Sequence, residues 1–194
     1  MKPTLALALL VGGLAHAEAG WLTAQGRITE GAELAVYGGP KSIGIGLLRS
    51  DNHNPGRGIG AELAWSLADR VVEVSAARRW QLGEPGKATF SGTVGLAGFI
   101  IPEGKFDLAL GPNVGINAGF GGKAISFEVG VLSGVELFTR ELFRFPQRLQ
   151  VGVRAQLGRV TLRLYGRAGV DLILERNYIL RADAVLCVGL LNRQ

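Results

Sequence analysis

The residues of this sequence that could do chemistry are few, and they fall in three places. The first is the run Ser50-Asp51-Asn52-His53-Asn54, which holds the only histidine besides His16. A serine, a histidine and an acid are the parts of a hydrolytic triad, and oxygen ligands beside an imidazole are the parts of a metal site. A triad, however, needs the imidazole held between nucleophile and acid by tertiary geometry, which neighbours in one loop seldom supply. A metal site built of histidines needs more than one. The run therefore reads as a solvated polar connection, with a membrane-embedded lipid hydrolase as the enzymatic alternative. The second place is Cys187, which alternates with Arg181 and Asp183. A neighbouring arginine can activate a thiol, but a lone cysteine at such a position reads as a small filler residue. The third is Gly121-Gly122-Lys123, followed by Ala124. A phosphate loop would need Ser or Thr there and a strand-to-helix setting, so this is read as a tight turn. No catalytic residue, metal or cofactor is expected, and the sequence names no ligand.

The elements that carry these residues are strands. From residue 32 onward the dominant period is two. In 124–138, Ile125, Phe127, Val129, Val131, Val135 and Leu137 alternate with Ser126, Glu128, Gly130, Gly134 and Glu136. In 148–157, Leu149, Val151 and Val153 alternate with Arg148, Gln150, Gly152 and Arg154, and in 160–174 Leu162, Leu164, Val170 and Leu172 oppose Arg163, Tyr165, Arg167 and Asp171. A helix would spread these arginines around its surface, whereas a strand puts them on one face. Weaker alternating segments lie near 32–37, 42–49, 58–67, 70–80, 88–101, 106–119 and 178–191. Short turns such as Gly38-Gly39-Pro40 and Gly158-Arg159 join many of them, with longer polar connections at 50–57, 81–87 and 139–147. The prediction is an all-β antiparallel meander of about ten strands, eight or twelve also being compatible, closed into an up-and-down barrel that leaves no edges.

Composition narrows the class. Of 194 residues 47% are hydrophobic and 19% charged, which excludes disorder, and the single cysteine excludes a disulfide scaffold. The net charge of +5 comes with arginines spread singly along the chain rather than in an aromatic-laced patch, so nucleic acid is not an expected partner. Residues 1–17 have the three parts of a secretory signal peptide: Lys2, the apolar stretch Leu5 to Leu14, and Ala15-His16-Ala17. Residues 18–31 form an N-terminal segment with a possible strand from Trp21 to Ile28, and 32–194 the barrel domain.

Alternation alone does not say which face points outward. Lysines Lys41, Lys87, Lys105 and Lys123 all sit at or beside turns, whereas the outer wall of a soluble barrel would carry some within its strands. The polar face is rich in small residues, as in Gly111, Asn113, Gly115, Asn117 and Gly119, which suit a narrow interior. These features predict an interior charge network of Glu128, Glu136, Arg148, Arg154, Arg163, Arg167, Asp171, Arg181 and Asp183, in which arginines and carboxylates pair across a small lumen. Trp65, Trp80, Phe99, Phe106, Phe120, Phe138 and Tyr178 fall near strand ends, as an aromatic girdle requires.

With its export signal and alternating strands, the chain resembles the small outer-membrane β-barrel proteins of Gram-negative bacteria. The resemblance implies a transmembrane β-barrel in the cell outer membrane, in contact with outer-membrane lipid and delivered by the barrel assembly machinery. It implies a structural, adhesive or minor-transport role and no enzymatic one. The alternative is a secreted or periplasmic soluble barrel that binds an apolar ligand.

Overall fold

A computed structural model of the chain describes residues 28, 30–51, 53–54, 56–67, 70–82, 88–101, 107–138, 143–173 and 178–192. The expected signal peptide and most of the 18–31 segment lie outside the described residues. The strands are β1 (Ala32–Gly38), β2 (Ser42–Ser50), β3 (Arg57–Ser66), β4 (Val72–Leu82), β5 (Ala88–Ile101), β6 (Asp107–Gly121), β7 (Ile125–Gly134), β8 (Glu136–Phe138), β9 (Phe143–Leu157), β10 (Val160–Ile173) and β11 (Ile179–Asn192). Among the described residues there is no helix. Apart from β7 and β8, which both lie between β6 and β9, each strand pairs antiparallel with its neighbours in the chain, and β1 pairs with β11 from Ala32↔Asn192 to Gly38↔Leu186, so the sheet closes on itself.

The barrel has ten strands in space, because β7 and β8 are two halves of one. Asn113 faces Gly134 and Leu110 faces Leu137 across β6, in one unbroken register. The interruption between the halves has a chemical cause. Val135 donates its N–H to the Pro112 carbonyl at 3.0 Å, and in an antiparallel pair the return bond would come from the N–H that Pro112 lacks. The N–H and C=O of Gly134 then face β9, where Pro146 is the matching residue by the register Ser133↔Gln147 and Glu136↔Arg144. Consecutive residues thus each lose a donor, one on either side of the strand.

Phe143–Gln147, placed by the sequence in a connection, belongs to β9. Pro146 lies within it, since a proline can sit within a strand where its missing donor falls at an already irregular pairing. Elsewhere the strands begin and end within two residues of the alternating segments.

Side chains at alternate positions separate cleanly. Ile125, Ile116, Leu164, Leu186 and Leu190 point outward and are at least half exposed, whereas Glu33, Glu128, Arg154, Arg163 and Asp171 point inward and are buried. Polar groups dominate the interior, with a small apolar cluster that includes Ala35, Leu48, Ala64 and Val185 among them, and aliphatic groups form the outer wall.

Candidate functional site

Charge fills the interior in layers that the strand register sets. Among the described residues seven arginines and six carboxylates are buried. One layer centres on Asp171 of β10, which is fully buried. Arg148 Nη2 lies 2.5 Å from its Oδ1, Arg144 Nη1 lies 3.3 Å from its Oδ2, and Arg181 Nε donates to the same Oδ2. Arg148, Gly169 and Arg181 stand in one row across β9, β10 and β11, with Asp171 the next inward position on β10. A Cβ at Gly169 would come within 2.7 Å of Arg148 Cδ, so glycine there leaves room for the guanidinium. Arg144 faces Glu136 directly across β8 and β9 and donates Nε to it at 2.7 Å. The Arg144 guanidinium also sits 4.6 Å from the centroid of the Phe99 ring, a cation–π distance.

A second layer centres on Glu128. Glu128, Gly152 and Tyr165 share a row across β7, β9 and β10. The Tyr165 ring lies across Gly152, where a Cβ would overlap it, and the phenol donates to Glu128 Oε2. A third layer crosses the closing seam. Arg163 of β10 reaches past β11 to Glu33 of β1 and forks onto it, with Nη1–Oε1 and Nη2–Oε2 both 2.6 Å. Cys187 lies beneath this fork, its Sγ 3.7 Å from Arg163 Nη1. Gly189 leaves the space that the Glu33 carboxylate takes.

The structure thus brings Glu136, Arg148, Asp171 and Arg181 together through Arg144. It places Glu128 with Tyr165, and Arg163 with Glu33. Arg154 donates to Gln156 at 2.8 Å, and Arg167 to Gln150 at 2.7 Å. Asp183 stands nearer the mouth, half-buried, and accepts from Ser42 Oγ at 2.9 Å. Glu33, Glu62, Glu73, Arg79 and Arg144 are interior charges outside the predicted set. Arg144 was hidden by the reading of its segment as a connection, and Glu33 and Arg79 by short or weakly alternating surroundings.

A cavity of about 40 Å³ lined by Asn113, Leu132, Glu136, Arg148 and Arg167 lies beside the Asp171 layer, room for about two or three waters.

Aromatic residues divide differently from the expectation. Trp65, Phe120 and Tyr178 are exposed, but Phe99 is 3% exposed and points inward beneath Arg144, because odd positions of β5 face the lumen. It is not part of a girdle. The side chains of Phe106 and Phe138 lie outside the described residues.

The Ser50–Asn54 run does not assemble into a relay. Ser50 Oγ accepts the Gly31 N–H at 2.7 Å and donates to the Gly31 carbonyl at 3.2 Å. Asp51 Oδ1 accepts the backbone N–H of His53 at 2.9 Å, and that bond holds the Asp51 carboxyl below its ordinary pKa. Among the described residues no cluster of His, Cys, Asp and Glu has the arrangement of a metal site.

No family model matches the chain, and no curated protein does. A solved structure titled "KdgM porin" aligns over 84% of this chain and 99% of its own, at 6% identity and a TM-score of 0.40.

Proposed function

We propose that this protein is a small, non-enzymatic β-barrel of the bacterial outer membrane, with a structural role and an interior closed by ion pairs. The observation that carries this reading is polarity. Arginines and carboxylates are inside, and the outer wall is a continuous band of Leu, Ile, Val and Phe. A soluble barrel that held an apolar ligand would need the reverse, and exposed apolar surface on this scale calls for a partner. Lipid is the partner that covers a wall on all sides, and a closed barrel meets lipid without unpaired backbone groups. The structural role rests on the filled lumen, where Asp171 and three arginines occupy the space a passage would need.

Spin labels test the reading directly. In a Cys187→Ser background, a label at residue 131 on the outer wall is expected to meet a lipid-soluble relaxant strongly and a water-soluble one weakly. A label at residue 126, which faces inward, should meet little of the lipid-soluble reagent. Shielding of residue 131 from both reagents, with recovery of the protein in the soluble fraction without detergent, would overturn the reading.

A further inference from the structure

The outer wall has one exception to its apolar character. Among the described outward-facing strand positions only three are charged: Arg49, Arg57 and Arg78. They are neighbours. Arg49 of β2 and Arg78 of β4 both face Ile59 of β3, one from each side. Arg57 is the next outward residue on β3 toward the rim, where it faces Trp80. The backbones of Arg49 and Arg78 are two strand spacings apart, about 10 Å, within the span of two arginine side chains that converge. No carboxylate among the described residues pairs with any of the three.

A charge on a lipid-facing wall is costly at mid-depth and nearly free at headgroup level, so three unpaired arginines mark the level of a headgroup. The surroundings have the shape of a lipid. Two hollows of about 550 and 420 Å³ flank the group; both are lined by Arg57 and Arg78, and the second also by Arg49 and by Asp51, whose carboxylate accepts the His53 N–H. The Trp80 ring packs on Gly92, where a Cβ would come within 2.8 Å, and closes one side as an interfacial aromatic does. Below Ile59 the outward row reads Leu47, Ala61, Ala76, Leu96 across β2 to β5. The two alanines between two leucines form a shallow trough one row deep, closed below by Leu63 and Val74.

We propose that Arg49, Arg57 and Arg78 form a binding site for the phosphate of an anionic phospholipid whose acyl chain leaves the headgroup over Ala61 and Ala76. Guanidinium groups fork onto phosphate oxygens with two hydrogen bonds each, and three of them around one ligand favour a net anionic headgroup over a zwitterionic one. The inference rests on the membrane reading above.

The test separates the two. Insertion of the purified barrel into phosphatidylcholine nanodiscs, read by a heat-dependent shift on an SDS gel, reports the membrane reading without reference to charge. Native mass spectrometry of the delipidated barrel then measures binding of phosphatidylglycerol, phosphatidylcholine and inorganic phosphate. The expected result is binding of phosphatidylglycerol about tenfold or more tighter than phosphatidylcholine, a difference lost in the Arg49→Gln, Arg57→Gln, Arg78→Gln triple variant. Arg159→Gln, in an exposed turn, should leave it intact. If the triple variant does not fold, Arg78→Gln alone reads the same loss in part. Equal binding of the two lipids, an unchanged preference in the folded triple variant or in Arg78→Gln, or displacement of the lipid by equimolar inorganic phosphate would each overturn the proposal.

Discussion

Asp171 compensates three of the seven buried arginines. Removal of its charge leaves Arg144, Arg148 and Arg181 with one less carboxylate in a space that holds little water. Breaking a buried pair by deleting one partner typically costs about 3–5 kcal/mol, so Asp171→Asn is expected to lower unfolding stability in lipid vesicles by that amount, as measured by urea titration. Asp183→Asn is the contrast. Its carboxylate is half-buried and accepts from Ser42, so the expected cost is under about 1 kcal/mol. His53→Ala, in the exposed connection, should stay within about 0.5 kcal/mol of the parent. Equal losses in Asp171→Asn and Asp183→Asn would mean that the lumen is wet and its charges independently solvated.

Strands carry the second scale, and here sequence and structure can be compared element by element. Period-two alternation marks a strand wherever a polar interior meets an apolar wall, and nearly every strand of this barrel obeys it. It also assigns each side chain to a face, which is why the nine predicted charges all point inward. What alternation omits is partnership. Nothing local to Arg163 identifies Glu33, 130 positions away, because that pairing exists only once β1 meets β11. Nor could it place Phe143–Gln147, whose proline resembles a break. That proline supports a prediction at this scale. Pro146→Ala restores a donor opposite Gly134, so amide hydrogen exchange across residues 134–138 should slow while the fold is kept. Unchanged exchange there would show that the gap between β7 and β8 has another origin.

Over its described residues the molecule is a cylinder turned inside out relative to a soluble protein, charged inside and apolar outside. Eight strands enclose a space that side chains can just fill, and in this ten-stranded barrel long side chains lie across glycines to occupy the wider interior, as Tyr165 does over Gly152. Reconstituted into a planar bilayer, the protein is expected to show no steady ohmic steps above baseline. Stepwise conductance in the unmodified barrel would contradict a closed lumen and favour a transport role.

The fork of Arg163 onto Glu33 also sets an order of events. Its two members come from opposite ends of the barrel domain, so a chain still emerging has one without the other. Until β10 and β11 arrive, Glu33 lacks the direct fork that Arg163 supplies, and the first strand gains less by leaving water. Once they arrive, the seam brings the two members of the ion pair together. A truncated copy that lacks the last two strands would therefore stall as an open sheet with a stranded carboxylate. The latch at the seam rewards only a complete chain.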